Sequence, residues 1–281
     1  MKKRVTLTIE NNILDQVDKE VDGHKIKNRS HAVELYLLKA LGVSVPKQAL
    51  ILAGGEGTRL RPLTHEIPKP LIPLQSKPLL EYSLDLFKKF GIKDIYISIG
   101  FKGDKIKEHF GDGSKFGVKI TYIEEDEPLG TAGPLRLAKR YIKGSFIVCN
   151  ADELKDIDLV DMFLFHKDNN ASATIALTSV DDTSKYGVAK ITGNKILDFV
   201  EKPKKEDAPS KFINSGLYIF EPEIIDYIPE GSAMLEKDVF PKLAREGKLF
   251  GYPFAGYWKP IGTMEEYDEA IHDLKKEKFK L

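Results

Sequence analysis

The chain has 281 residues, 42% hydrophobic and 31% charged, with 43 Lys/Arg against 43 Asp/Glu. That composition excludes a disordered polyelectrolyte, allows a sizeable core and more than one unit, and leaves any polyanion contact to a local patch. The one cysteine, Cys149 in the apolar run FIVC, excludes a disulfide framework and a cysteine-rich zinc site and is expected to be a buried, inert thiol. No apolar run reaches the length of a membrane span and no signal-peptide core opens the chain, so a cytoplasmic location is expected.

Residues 1–42 differ in pattern from the remainder of the chain. RVTLTI alternates, with Val5, Leu7 and Ile9 on one face and Arg4, Thr6 and Thr8 on the other, which predicts a strand over 4–9. NNILDQVDKEV carries Ile13, Leu14, Val17 and Val21 at helical spacing and closes on Asp22-Gly23. Ser30 can cap a second helix, HAVELYLLKAL. One strand and two helices are too few to close a core, and pairing of two copies is the natural remedy. This β-α-α order resembles the ribbon-helix-helix family of DNA-binding regulators. The resemblance implies a dimer whose paired strands present Arg4, Thr6 and Thr8 to base edges, with a phosphate at the amide end of the second helix near Arg29 and Ser30. The segment holds eight Lys/Arg and six Asp/Glu, a modest excess for a DNA binder, and a module that only dimerises is the alternative.

Residues 43–48 read as a linker, and from Ala49 strands and helices alternate. ALILA, DIYISIG, VKITYIE and FIVCNAD predict strands. PLLEYSLDLFKKFG, GDKIKEHF and AGPLRLAKRYI predict helices between them. Later runs, ATIALTSV, GVAKITG, ILDFVE and INSGLYIF, are strand-rich. The expectation is a Rossmann-like α/β unit over 49–281 with a mixed, mostly parallel central sheet, ending in a frayed, solvated tail KKEKFKL.

The stretch LILAGGEGTRLRPLT sets three glycines directly behind the first of these strands. Backbone N–H groups there can approach a phosphate with no Cβ in the way. It is neither GxxxxGK[ST] nor GxGxxG, and alone it would be an ordinary turn. Arg59 beside it and Lys69 in IPKPLIPL supply two cations suited to a triphosphate and to charge arriving on a leaving pyrophosphate.

GGEGTRLRPLT followed by PKPLIPL resembles the signature of the sugar-phosphate nucleotidylyltransferases. The likeness continues in order through PLGTAGPL, CNADE, KYGVAK, FVEKP, FINSGLYIF and GYWKPIGT, covering about 48–270. It implies in-line attack by a sugar 1-phosphate on the α-phosphorus of a nucleoside triphosphate, with positioning and charge carrying the catalysis. Leu52, Ala53, Gly54, Gly55, Gly57, Thr58, Arg59 and Lys69 would bind the nucleotide, with Gly130, Thr131 and Gly133 cupping base and ribose. Asp152 would hold Mg²⁺, with Glu153 as an accessory. Gly187, Glu201 and Asn214 would face the sugar and Lys202 its phosphate. The resemblance implies Arg59, Lys69, Asp152 and Lys202 as the catalytic set.

The family usually has a second metal-ligand aspartate two residues after the late tryptophan; here that position is Pro260. Cytidylyltransferase-like relatives share the WxP turn but carry an aspartate where this chain has Gly262, and Asp268 lies further along. PKPLIPLQSKPLLEYSLDLFKKFGI and EPLGTAGPLRLAKRYI most resemble the mannose-1-phosphate guanylyltransferase branch, which implies GTP and mannose 1-phosphate. Two readings stand: an Mg²⁺-dependent transferase of even oligomeric state, or a regulator whose weakened transferase unit senses a sugar nucleotide.

Overall fold

The computed structural model describes residues 5–23, 26, 28–40 and 45–279, without the side chains of residues 38 and 39. The N-terminal segment forms helices α1 (Asn11–Lys19) and α2 (Arg29–Ala40), joined by an ion pair in which Arg29 Nε donates to Asp18 at 2.6 Å. The strand expected over 4–9 is not formed: residues 5–10 pair with no strand among the described residues, and Arg4 lies outside them. An extended segment without a neighbour leaves its N–H and C=O groups to water, so a ribbon requires a partner strand. Val5 and Leu7 are accordingly exposed.

The α/β unit opens with β1 (Gln48–Leu52), which leads into the glycine loop. A small hairpin of β2 (Pro73–Leu74) and β3 (Lys77–Pro78) precedes α3 (Leu79–Lys89). Then come β4 (Asp94–Ile99), α4 (Gly103–Phe110), β5 (Lys119–Glu124), α5 (Gly133–Ala138) and β6 (Phe146–Asn150). The rest is β7 (Glu153–Lys155), α6 (Leu159–Asp168), β8 (Ala173–Ser179), β9 (Gly187–Thr192), β10 (Lys195–Glu201) and β11 (Phe212–Phe220). The chain closes with α7 (Phe240–Arg245), β12 (Leu249–Pro253), β13 (Trp258–Pro260) and α8 (Met264–Lys275).

Nine strands form one sheet in the order β5-β4-β1-β6-β11-β8-β12-β10-β9. The sheet is mixed, as expected. Its parallel part is β5-β4-β1-β6 together with the β8–β12 pair, while β11 and the β9–β10 hairpin run antiparallel to their neighbours. Both faces are covered. Leu50 and Ile51, adjacent in β1, enter different core layers, as do Val148 and Ile147 in β6. That period of two, with both faces apolar, is why these strands read as continuous hydrophobic runs. α3 turns Leu80, Leu84 and Phe87 onto the sheet and leaves Lys88 and Lys89 in water.

The chain order reverses between β1 and β6. From β1 it steps outward to β4 and β5, then returns to the other side of β1. The carboxyl ends of β1 and β6 therefore lie side by side, with Leu52 in register with Asn150. Such a switch point leaves a crevice beyond the strand ends, because the two crossovers depart in opposite directions. The expected frayed tail is instead anchored: Phe279 is buried and packs its ring 5.1 Å from Tyr257 and 6.0 Å from Tyr82. An aromatic ring that finds an apolar slot outweighs the charge of its lysine neighbours.

Candidate active site

The glycine loop and Asp152 follow the two neighbouring strands of the switch point, so they share one cavity of about 460 Å³. Its wall includes Leu52, Ala53, Gly54, Gly55, Gly57, Thr58, Arg59, Lys69, Gly130, Thr131 and Asp152. Gly57 holds φ 64°, and a Cβ there would lie 2.9 Å from Thr64 Cγ2 and 3.0 Å from Lys69 Cβ. The turn thus needs glycine both for its left-handed backbone and for room to seat Lys69. Thr64 Oγ1 donates to Gly57 O at 2.9 Å and closes the loop on itself. Gly133 does not line the cavity; it starts α5, where a Cβ would collide with Leu129.

Lys69 donates to Asp152, and the two form an ion pair on the cavity floor, the lysine side chain 12% and the aspartate 34% exposed. Burial works to raise the Asp152 carboxyl, but Lys69, then Lys155 and Arg59, hold it below the ordinary aspartate value, so it is anionic. Glu153 points the other way, into β11. It accepts from Lys155 at 2.8 Å and from Trp258 Nε1 and Asn150 Nδ2 at 3.3 Å, and burial pushes its carboxyl up. Glu153 therefore braces the Asp152 turn and is not placed as an accessory ligand. A larger cavity, about 560 Å³, opens at the opposite, amino ends of β1, β4 and β5 and contains none of these groups.

The residues expected to face the sugar gather in an adjoining cluster and do not line the nucleotide cavity. Gly187 and Glu201 are register partners of β9 and β10, and Val188 pairs with Ile213, next to Asn214. Asn214 Nδ2 donates to the Tyr218 hydroxyl at 2.9 Å, and its Oδ1 accepts from Gly216 N at 2.9 Å, shaping an irregularity in β11. Lys202 lies 3.3 Å from the Glu201 carboxylate, has an ammonium-bearing side chain 61% exposed, and holds φ 49°. A left-handed non-glycine residue costs roughly 1–3 kcal/mol and is retained where the fold over-determines its direction. The Lys202 N–H to Tyr186 O bond, 3.0 Å, does so here.

The model of the nucleotidyl transferase family matches residues 48–277. The chain belongs to the nucleotidyl transferase family. Mannose-1-phosphate guanyltransferase beta-B of Xenopus laevis is 39% identical over 226 residues, which cover 78% of this chain and 62% of that protein. A UTP–glucose-1-phosphate uridylyltransferase of Synechocystis is 39% identical over 250 residues, covering 83% and 64%. The chain thus spans less than two thirds of the length of either relative. Among solved structures, HddC from Yersinia pseudotuberculosis, complexed with GMP-PN, is 30% identical with a TM-score of 0.69, covering 81% of this chain and 99% of that one.

In this family member Pro260 sits in β13 directly opposite Glu153, and Ile261 N donates to Asp152 O at 2.9 Å. The backbone at that position lies beside Asp152, yet the proline brings no donor side chain. A Cβ on Gly262 would lie 3.0 Å from Glu266 Oε2 and 3.2 Å from an Arg59 guanidinium nitrogen, so the glycine leaves room for both. Asp268 is exposed on α8. Among the described residues no group of three or more His, Cys, Asp or Glu could hold a metal by itself. Asp152 offers the cavity one anionic carboxylate, which fits a hard cation that takes its other oxygens from phosphates and water.

Three carboxylates near the site escaped the sequence reading. Glu125 lines the cavity, accepting from Ser98 Oγ and from Leu129 N at 3.1 Å. Glu266 accepts from Gly262 N at 2.7 Å beside Arg59. Glu236 accepts from Thr131 Oγ1 at 2.6 Å. Glu125 stands in an acidic run and Glu236 in LEKDV, where side-chain type alone does not separate a site residue from a solvated one. Glu266, three residues after Thr263, carries a capping signal that could have flagged its backward reach. Among the described residues no helix is long and apolar enough to cross a membrane.

Proposed function

We propose that this chain transfers a nucleotidyl group from a nucleoside triphosphate to a sugar 1-phosphate and releases pyrophosphate, with GTP and mannose 1-phosphate as the favoured pair. The reading is carried by the meeting, in one cavity, of the glycine loop, Arg59 and the Lys69–Asp152 pair. In the reaction an oxygen of the sugar phosphate forms a bond to the α-phosphorus as the bond to the bridging oxygen breaks, and the electron pair leaves with pyrophosphate. No protein nucleophile is required. Backbone N–H groups of the loop orient the triphosphate, Arg59 and Lys69 neutralise charge as it moves onto the leaving group, and Lys202 holds the attacking phosphate. Mg²⁺ at Asp152 would supply further charge neutralisation, bound chiefly through the phosphates.

Glu125 supports guanine. Guanine presents two adjacent donors, N1–H and N2–H, that suit the two oxygens of a carboxylate, whereas uracil and thymine offer one donor, N3–H, flanked by two carbonyls that a carboxylate repels. The Xenopus relative's name supports mannose 1-phosphate, and the equally identical uridylyltransferase is the reason to test a panel. Purified protein is incubated with Mg²⁺, each nucleoside triphosphate and a set of sugar 1-phosphates, and pyrophosphate is followed. GTP with mannose 1-phosphate is expected to give the highest kcat/KM; no turnover with any pair overturns the reading.

For residues 1–42 we infer a ribbon formed between two copies, supported by the alternation of Val5, Leu7 and Ile9 and by the exposure of Val5 and Leu7. Arg4, Thr6 and Thr8 would then face DNA. Arg29 is engaged by Asp18, and Ser30 lines a crevice against α6. The second reading, a regulator sensing a sugar nucleotide, is favoured by Pro260 alone. Light scattering reads the dimer. A gel shift on the upstream DNA, weakened by Arg4→Ala and by salt, reads the contact, and salt-insensitive or absent binding leaves a dimerisation module.

A further inference from the structure

The loop that walls the nucleotide cavity is sewn to a distant segment, 233–236. Ala233 N donates to Leu129 O at 3.0 Å, and Ala132 N donates to Ala233 O at 2.9 Å. Thr131 Oγ1 accepts from Leu235 N at 2.9 Å and donates to Glu236 Oε2 at 2.6 Å. Gly130 holds φ 74° against Ala233 O, where a Cβ would clash. The Thr131 hydroxyl is therefore spent on this seam, as acceptor from Leu235 N and donor to Glu236.

Glu236 lies in the single wide turn Leu235–Val239, a rare form of helix that is frequent at functional sites. It is 8% exposed. The turn packs against β10, whose last residue, Glu201, lies 3.3 Å from the Lys202 ammonium, and the buried Tyr218, whose hydroxyl accepts from Asn214, shares a core layer with Leu235 and Val239. Burial pushes its carboxyl up; the Thr131 hydrogen bond and Lys202 pull it down. One turn thus holds the nucleotide wall through Glu236 and packs on the strand that leads into the cation expected to grip the acceptor phosphate.

We propose that Glu236 is a positioning residue that couples the two subsites, holding the Gly130–Thr131 wall by hydrogen bonding and tempering the Lys202 cation by its charge. This rests on the transferase reading above, so the test separates binding from turnover. GTP affinity is measured by calorimetry without acceptor, and mannose 1-phosphate affinity on protein saturated with a non-hydrolysable GTP analogue. Glu236→Gln keeps an acceptor for Thr131 but removes the charge. It is expected to leave the GTP Kd within about twofold and to tighten acceptor binding about threefold or more, since a repelling carboxylate is gone.

Glu236→Ala and Thr131→Val remove the hydrogen bond and are expected to weaken GTP about tenfold. A residue that merely supported the fold would move both affinities together in all three variants, with a matching fall in Tm. Unchanged GTP affinity in Thr131→Val, or unchanged acceptor affinity in Glu236→Gln, overturns the proposal. If Glu236→Ala does not fold, the other two variants decide. Absence of turnover in the wild type would sink the transferase reading while leaving the GTP measurements intact.

Discussion

Lys69 and Asp152, 83 positions apart in the chain, are ion-paired on the floor of the glycine-loop cavity. A cation bound at Asp152 would have to share that carboxylate with the lysine, so substrate phosphates arriving at the cavity compete to take the ammonium over. Asp152→Asn is expected to cut Mg²⁺-dependent pyrophosphate release at least about 100-fold. Lys69→Ala is expected to lower kcat more than it raises the KM for the triphosphate. Steady-state kinetics over a range of Mg²⁺ concentrations check both; unchanged activity in Asp152→Asn would mean the metal is held elsewhere.

Gly57→Ala addresses the loop itself. With φ 64° and a Cβ 2.9 Å from Thr64 and 3.0 Å from Lys69, the alanine must strain the turn or displace the lysine. A stability loss of about 1–3 kcal/mol is expected, read by denaturant unfolding, together with weakened nucleotide binding. Gly144→Ala, outside the nucleotide cavity and with a Cβ that would meet nothing within 4 Å, is the control.

Base choice is expected to depend on Glu125, which lines the cavity. Glu125→Gln replaces an acceptor pair by one acceptor and one donor, and the preference for GTP over UTP is expected to fall about tenfold or more. Competition assays with both triphosphates measure the ratio; an unaltered ratio would place base reading in the backbone of the loop instead.

Stability at acid pH tracks Glu221. His166 at 3.2 Å, with Lys167 and Ser145, lowers its carboxyl from 4.5 to about 2. A depressed carboxyl stabilises the fold above its unfolded value and loses that contribution as pH falls through the folded one. Glu221→Gln is therefore expected to be about 1–3 kcal/mol less stable at pH 7, with the gap closing between about pH 4.5 and about 2. Chemical denaturation across that range tests it, and a pH-independent gap would refute the linkage.

The Cys149 thiol is buried, and burial pushes it up to about 11. Native protein is expected to resist thiol-specific reagents at pH 8 and to react fully once unfolded. Labelling with full retention of fold would show that this strand opens locally.

The local chemistry of this protein is written in its amino-acid order. A glycine loop behind a buried strand, Arg59, Lys69 and Asp152 are legible because phosphate binding needs those residue types at short range. Strand and helix positions in the α/β unit come from period-two and period-3.6 patterning. Contacts between distant segments set the rest. The reversal of strand order between β1 and β6 brings Asp152 to the glycine loop, and nothing in either motif encodes that adjacency. Antiparallel β11, Phe279 in its slot, and Glu125, Glu236 and Glu266 at the site were placed by packing between remote parts of the chain, as between Thr131 and Glu236, 105 apart. A carboxylate's role is fixed by what surrounds it, because burial and neighbouring charge, not side-chain type, set its protonation and its partners.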